Sequence, residues 1–494
     1  MLDSPSAQLV NDDIRPTTDA ERHWSVFNMA ALWIGMVVCV PTYTLAGGLV
    51  AEGMSAWQAI GTITLGNAIV LIPMVLNGHP GTKYGIPFPV LARASFGIHG
   101  AHVPSVLRAL VACGWFGINT WFGGVSIYHL LNVLTGGGLE GADVPLLGIN
   151  PGEFACFLLF WALQVGVIYK GIESIRILET YAAPFLIAMG LALLAWAYVN
   201  AGGFGETFSR PSAFAADGER EGEFFSVFFP SLTAMVGFWA TLSLNIPDFT
   251  RYAKSQRDQL LGQALGLPLT MTLFAFIAVA VTGATDTIFG ETIADPTKLL
   301  GRMGEESTGW MAGLTVGISL FVLAVATLST NIAANVVSPA NAFINVQPKR
   351  ISFQLGGYIT AGIGLVILPW KLLESTGDYL FVWLVGYSAL LGPIGGILIV
   401  DYFALRRTKF DLNGLYQLRG PYFYTGGFNW VALLALFVGA APNLPGFLHA
   451  AGVIDDGVIP VFFDTLYTYA WFVGFGLAGV LYGVLSLALG RKEA

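Results

Sequence analysis

The residues Trp33-Ile-Gly-Met-Val-Val-Cys-Val-Pro-Thr-Tyr43 interrupt a long apolar run near the start of this 494-residue chain. Gly35 and Pro41 lie within a segment that otherwise has the composition of a membrane helix. Proline removes a backbone donor and its ring clashes with the preceding turn, so the sequence predicts a helix that kinks or unwinds here. A simple kink is the alternative, because membrane helices tolerate proline better than soluble helices do.

A second interrupted run lies later in the chain, at Gly237-Phe-Trp-Ala-Thr-Leu-Ser-Leu-Asn-Ile-Pro247. The two interrupted runs are the first and the sixth of twelve charge-free runs, so they open two successive groups of five. Interrupted spans at matching places in two halves indicate an inverted-repeat transporter with a binding site at the bilayer midplane. Because five spans are an odd number, the second half begins on the opposite side of the membrane.

The composition is that of a polytopic membrane protein. The chain is 55% hydrophobic and only 11% charged, whereas soluble domains carry about 25% charged residues. The net charge of −8 gives no sign of a nucleic-acid partner, and we expect none. The three cysteines have no metal-binding spacing, and we expect no cofactor.

Twelve charge-free runs predict twelve transmembrane helices, each run being near or above the roughly 17–25 residues that cross a bilayer. They are 24–51, 54–82, 109–139, 154–169, 180–205, 224–247, 259–285, 307–348, 351–370, 379–400, 420–454 and 465–490. We therefore predict an all-α membrane protein with a five-plus-five inverted repeat and two additional C-terminal helices. The predicted divisions are an N-terminal segment 1–23, repeats 24–205 and 206–403, helices eleven and twelve at 404–490, and a tail 491–494.

The distribution of Lys and Arg predicts the orientation. With the N-terminus in the cytoplasm, eighteen of the 23 basic residues fall in cytoplasmic segments and five fall outside. This bias satisfies the positive-inside rule, so we expect both termini in the cytoplasm and a multi-pass protein of the cell membrane. We also expect the protein to be a monomer in the lipid bilayer.

A polar stretch, Ala326-Thr-Leu-Ser-Thr-Asn-Ile-Ala-Ala-Asn-Val-Val-Ser-Pro339, lies within 42 consecutive uncharged residues. Polar groups that face lipid cost several kcal/mol when unsatisfied, so these groups are expected to face protein, water, an ion or a ligand. Hydrogen bonding between helices is the simpler explanation for any one of them. For the cluster of Ser329, Thr330, Asn331 and Asn335, a binding role is as well supported as hydrogen bonding between helices. Of these, Asn331 is interpreted as a helix-to-helix contact.

The third run supplies Trp115 and Asn119, which are four residues apart and share one helical face. Trp239 lies beside the predicted break in the sixth run. Interfacial anchoring or plain packing would also explain such indoles. Two indoles with the amides of Asn119 and Asn335 nevertheless describe a slot for a flat, polar, uncharged ring.

The predicted spans carry no charged residue in their central portions, which favours a neutral ligand. We include Phe238 and Cys39 in the predicted substrate site. For a coupling cation, Ser329 and Thr330 offer hydroxyl oxygens, and the unwound part of the first span offers the carbonyls of Gly35 and Val38. Hard cations prefer oxygen ligands, and the carbonyls of broken membrane helices coordinate sodium.

The chain resembles the nucleobase–cation symporter family, the permeases for hydantoin, allantoin, cytosine, uracil and purines, over nearly its whole length. The motifs that carry the resemblance are Gly81-Thr-Lys-Tyr-Gly-Ile-Pro-Phe-Pro-Val90, Arg93-Ala-Ser-Phe-Gly97, Gly114-Trp-Phe-Gly117, Asn245-Ile-Pro-Asp-Phe-Thr-Arg251, Asn331-Ile-Ala-Ala-Asn335, Ser338-Pro339 and Asp401-Tyr-Phe403. The resemblance implies a leucine-transporter-type fold.

The same resemblance implies that Trp115 and Trp239 sandwich the substrate ring and that Asn335 and position 119 bind its polar edge. It also implies that a sodium ion lies between carbonyls of the first span, the carbonyl of Ala326 and the hydroxyls of Ser329 and Thr330. Position 119 is Asn where hydantoin and allantoin relatives carry the longer Gln, and position 39 is Cys where several relatives carry an amide. The identity of the substrate therefore does not carry over.

Together these features predict a secondary active importer of a neutral planar N-heterocycle, such as uracil, a purine or allantoin. Sodium is the expected coupling ion, and the protein is not expected to be an enzyme. The alternatives are a proton-coupled permease for the same substrates and a passive facilitator. An amino-acid transporter of the same fold is disfavoured by the two-indole slot.

Overall fold

The computed structural model describes residues 5–139, 141–145, 147–170, 187–306, 310–375 and 378–490. Within these ranges every extended regular element is helical. The helices up to residue 200 are α1 (Val26–Val37), α2 (Val40–Ala51), α3 (Ala56–Tyr84), α4 (Phe88–Phe96), α5 (His102–Thr135), α6 (Pro151–Lys170) and α7 (Ile187–Asn200).

The remaining helices, α8 to α21, include long apolar helices joined by short ones. They are α8 (Gly205–Ser209), α9 (Phe224–Phe238), α10 (Ala240–Asn245), α11 (Pro247–Thr250), α12 (Gln256–Phe289), α13 (Pro296–Glu306), α14 (Trp310–Asn335), α15 (Val337–Val346), α16 (Phe353–Val366), α17 (Val385–Ile399), α18 (Trp430–Ala440), α19 (Leu444–Ala450), α20 (Val461–Thr468) and α21 (Ala470–Ala488). Helix α17 is extended by π-helical turns at Asp378–Leu384 and Val400–Leu405.

Each of the twelve predicted runs overlaps at least one of these helices. Eight helical segments in the described residues are long and apolar enough to cross a membrane, and the pair α1 and α2 makes a ninth if it is counted as one bent span. The runs 180–205, 224–247 and 351–370 hold shorter apolar helices of 10–17 residues. Part of the first of these runs, residues 180–186, lies outside the described residues. Twelve crossings therefore remain a prediction.

The interruption predicted in the first span is confirmed, and it lies within the predicted stretch, between Gly35 and Pro41. Helices α1 and α2 meet at an angle of 60°, and the break lies at Val38 and Cys39. Gly35 remains within α1, and Pro41 lies in the first turn of α2. A proline is tolerated there because the first amides of a helix have no intrahelical partner.

The sixth span is also interrupted. Helix α9 ends at Phe238, and Trp239 adopts φ −100° and ψ 2° before α10 begins. Pro247 then opens the short helix α11, again at a position that needs no donor. The described part of the chain thus contains two broken spans, at the places that the sequence predicts.

Helices α1 and α12 pack closely because two glycines, Gly262 and Gly266, face α1. A Cβ built on Gly266 would lie 2.7 Å from the Cβ of Trp33 and 2.9 Å from the Cα of Ala30. Small residues four apart let membrane helices approach closely, and this contact sets the distance between α1 and α12.

We predict that Gly266→Ala destabilises the protein. The added methyl group must push α1 away from α12, which we expect to cost about 1–3 kcal/mol. Thermal unfolding of the detergent-solubilised protein measures the effect. Gly61→Ala is the matched control, because no atom lies within 4 Å of the Cβ that it would add. Equal melting temperatures for the two variants would show that α1 and α12 are not packed this tightly.

Candidate functional site

A cavity of about 40 Å³ lies where the two broken spans approach α5 and α14. All six residues of the predicted substrate site line this cavity, together with Thr330 from the predicted cation site. The complete lining is Met36, Cys39, Pro41, Trp115, Asn119, Phe238, Trp239, Thr241, Leu242, Thr330, Ala334 and Asn335. None of these lining residues is charged, so the cavity favours a neutral ligand over a charged one.

Trp115 is held in place by aromatic side chains of the tenth span. Its ring packs edge to face against Trp383 and Tyr387, with centroids 6.2 and 6.4 Å away. The rings of Trp383 and Tyr387 pack against each other as well, at 5.1 Å. No local sequence pattern reveals these partners, because they are distant in the chain from Trp115. Their packing restricts the orientation of the Trp115 indole.

Phe238 contacts both predicted indoles. Its ring lies edge to face against Trp115 at 5.1 Å and against Trp239 at 4.9 Å. Trp239 also packs edge to face against Trp33 of α1 at 5.3 Å, and its buried indole N–H has no hydrogen-bond partner among the described residues. The break after Phe238 therefore brings two aromatic rings to the cavity wall. Whether the two indoles sandwich a ligand stays a prediction.

The two amides of the predicted site are already partly engaged. Asn119 is 4% exposed and donates from its Nδ2 to the carbonyl of Trp115 at 3.1 Å, while its Oδ1 has no partner in the described part of the chain. Asn335 donates from its Nδ2 to the Oδ1 of Asn331 at 2.9 Å. Each amide therefore offers less than the full set of donors and acceptors that the sequence suggests.

Asn331 connects three helices, as its interpretation as an interhelical contact predicts. Its Nδ2 donates to the carbonyl of Phe116 in α5 at 3.0 Å and to the Oε1 of Gln164 in α6 at 2.6 Å. Gln164 is fully buried and is not among the site residues that the sequence predicts. An amide in an uncharged run such as that of Gln164 is a sequence signal for a buried polar contact. Its hydrogen-bond partner could not be predicted, because Asn331 is remote in the sequence.

Two tyrosines of the tenth span satisfy backbone carbonyls beside the breaks. Tyr387 donates to the carbonyl of Gly237 at 2.8 Å, near the end of α9. Tyr379 donates to the carbonyl of Pro41 at 3.3 Å, at the start of α2. The tenth span thus contacts both broken spans through hydroxyl groups, which stabilises the interrupted backbone around the cavity.

The predicted cation ligands are brought together only in part. The Oγ1 of Thr330 donates to the carbonyl of Gly35 at 3.4 Å, so α14 meets α1 beside the break. Ser329 is buried next to Thr330. Val38 directly follows the last residue of α1, and Ala326 lies one turn before Thr330 in α14, with its side chain outside the described residues. Hydroxyl and carbonyl oxygens are suitable ligands for a hard cation such as sodium.

The chain matches a family model over residues 16–474, described as permease for cytosine/purines, uracil, thiamine, allantoin. It is 49% identical to a purine-uracil permease of Arabidopsis thaliana over 491 residues, covering 98% of this chain and 79% of the relative. It is 39% identical to the allantoin permease of Bacillus subtilis, covering 97% of this chain and 94% of the relative.

Among solved structures the chain is similar to Mhp1, a nucleobase-cation-symport-1 family transporter with bromovinylhydantoin bound in a closed conformation. The TM-score is 0.77 at 28% sequence identity, covering 98% of this chain and 97% of Mhp1. This similarity confirms the predicted leucine-transporter-type fold.

Proposed function

The chain belongs to the family of permeases for cytosine/purines, uracil, thiamine and allantoin, and on that premise we propose that it imports a neutral planar N-heterocycle together with sodium. Members of this family are membrane transporters and not enzymes, and they bind nucleobases or ureides. Uracil, a purine and allantoin are the substrates that we propose, since its relatives include a purine-uracil permease and allantoin permeases.

One observation carries the proposal: the six predicted substrate residues line a single uncharged cavity. The cavity combines indole rings, which can stack on a flat ligand, with amide groups, which can bind its polar edge. Proteins bind small molecules in this kind of cavity, with mostly apolar walls and a few placed polar groups. In this assignment Trp115, Trp239 and Phe238 hold the ring, Asn119 and Asn335 bind its edge, and Cys39 closes the wall.

Sodium is proposed as the coupling ion because of the contact between Thr330 and the carbonyl of Gly35. A cation in this region would take oxygens from Gly35, Val38, Ala326, Ser329 and Thr330. Thr330 also lines the substrate cavity, so one residue adjoins both proposed sites. If α14 moves, both sites change together, which gives a physical route to coupling.

We further propose the arrangement of the transporter in the membrane. The repeats 24–205 and 206–403 would rock against each other around the cavity, with the helices of 404–490 outside the repeats. The excess of basic residues in alternate loops supports cytoplasmic termini in a multi-pass cell-membrane protein. The transporter would act as a monomer, because each chain contains the whole proposed site.

We predict that Trp115→Ala abolishes uptake of radiolabelled uracil or allantoin into proteoliposomes, because the ring loses its stacking partner. Trp121→Ala is the control, since Trp121 lies in the same helix but packs against Trp370 at 5.4 Å and does not line the cavity. Ligand-binding measurements on both purified variants separate loss of binding from loss of folding. Wild-type affinity in a folded Trp115→Ala protein would show that the substrate binds elsewhere.

Thr330→Val is expected to weaken sodium dependence and substrate affinity together, by about tenfold for each ligand if one oxygen ligand is worth about 1.4 kcal/mol. Thr327→Val in the same helix is the control, because Thr327 is buried but lies away from the cavity wall. Substrate titrations at several sodium concentrations measure both effects. Uptake that is unchanged in sodium-free buffer would reject sodium and favour proton coupling.

A further inference from the structure

We infer that a chloride ion binds to Arg108, which lies in the second turn of α5. Arg108 is fully buried, yet neither of its terminal nitrogens, Nη1 and Nη2, has a hydrogen-bond partner among the described residues. A buried guanidinium group without an acceptor is strongly unfavourable. This position therefore requires an acceptor that the described part of the chain does not supply.

The two other arginines that are buried in the described ranges show what Arg108 lacks. Arg93 donates from its Nη1 and Nη2 to the backbone carbonyls of Leu415 and Leu9, each at 3.0 Å. Arg251 also donates from both terminal nitrogens to backbone carbonyls, at 2.9 and 2.7 Å. Backbone oxygens are thus the usual partners of a buried arginine in this protein, and Arg108 has none at its terminal nitrogens.

Asn245, the last residue of α10, contributes a third unpaired donor. The Nε of Arg108 donates to the Oδ1 of Asn245 at 3.1 Å. Because a guanidinium group has donors only, the amide atom that faces it must be the oxygen. The Nδ2 of Asn245 is then left buried, without a partner in the described part of the chain. Three unpaired N–H donors therefore belong to one hydrogen-bonded pair of side chains that joins α5 to α10.

Asp248 is a buried carboxylate that attracts Arg108 without forming an ion pair with it. Its oxygens accept hydrogen bonds from the backbone N–H of Phe88 at 2.9 Å and from the hydroxyl of Ser338 at 2.8 Å. Asp248 also interacts with Arg251, so one carboxylate is shared between two buried arginines. The described residues around Arg108 therefore leave an excess of positive charge.

The three donors determine the class of ligand. All are N–H groups and two belong to a cation, so the ligand must accept hydrogen bonds and carry a negative charge. The three nitrogens are inaccessible to solvent, which favours a monatomic anion over a bulky phosphate or carboxylate. Chloride meets both conditions. A water molecule could accept the hydrogen bonds but would leave the charge of Arg108 unbalanced.

The chloride site is distinct from the proposed substrate site, since neither Arg108 nor Asn245 lines the cavity. Arg108 precedes Trp115 by seven residues of α5, which is about 10 Å along the helix. Both helices of the chloride site also contribute to the cavity wall, α5 with Trp115 and α10 with Leu242. Bound chloride would stabilise the contact between these two helices, whichever substrate and coupling cation the protein uses.

Chloride binding is measured by the thermal stability of the full-length protein in detergent, at constant sodium concentration with gluconate replacing chloride. We expect chloride to raise the melting temperature of the wild type saturably, by about 1–3 °C. Arg108→Gln should abolish this rise, because the cationic donors are lost. Arg210→Gln is the matched control and should respond as the wild type does, since Arg210 is 57% exposed and pairs with Asp286 at 2.7 Å.

Two results of this measurement would overturn the inference. If chloride does not stabilise the wild type, water satisfies the donors of Arg108. If the wild type and Arg108→Gln respond equally, chloride binds elsewhere. Should Arg108→Gln fail to fold, Arg108→Lys keeps the charge but loses the planar pair of terminal nitrogens. Its chloride affinity is expected to be about tenfold weaker or less, and an unchanged affinity would likewise overturn the inference.

Asn245→Asp separates anion binding from a purely structural role of Arg108. The new carboxylate keeps the oxygen that accepts from Arg108 and places a second oxygen where the unpaired Nδ2 lies. Because this charge replaces the ion, we expect the variant in gluconate to melt at or above the temperature of the wild type in chloride. Added chloride should then have no effect. A chloride response of wild-type size in folded Asn245→Asp would overturn the inference.

Discussion

A helix that breaks inside a membrane exposes backbone groups that cannot bond to water, and this constraint organises the structure. The carbonyls of Gly35, Pro41 and Gly237 lie beside the two breaks, and each accepts a hydrogen bond from a hydroxyl group of another span. Those hydroxyls belong to Thr330, Tyr379 and Tyr387. Because unsatisfied groups cost several kcal/mol in hydrocarbon, the broken spans require these neighbours. The cavity lies beside the two breaks, where α14 and the tenth span supply these hydroxyl groups.

The same constraint explains why one helix serves two proposed sites. Helix α14 contacts the first break through Thr330 and reaches the cavity wall with both Thr330 and Asn335. Asn331 lies between them and joins α14 to α5 and α6 by hydrogen bonds. The proposed ion and substrate sites are therefore connected through a single turn and a half of helix. A rigid connection of this length allows binding at one site to affect the other.

Much of this arrangement could be predicted from the sequence, because glycine, proline and polar residues are conspicuous in apolar runs. The two broken spans are predicted from their glycines and prolines, and the cavity lining is predicted from indoles and amides within the apolar runs. The stretch between Gly35 and Pro41 contains the break, whereas the hydroxyl groups that satisfy its carbonyls come from distant spans. The roles of Tyr387 and Gln164, and the directions of the amides, follow from contacts between helices that no local pattern reveals.

The most direct measurement of the central claim is a reciprocal titration of the purified protein. Uracil or allantoin affinity is measured at low and saturating sodium, with choline keeping the ionic strength constant, and sodium affinity is measured with and without the same substrate. Coupled sites require that sodium strengthens substrate binding by the same factor by which substrate strengthens sodium binding. We predict equal factors well above one. A substrate affinity that is identical in sodium and choline would contradict the account.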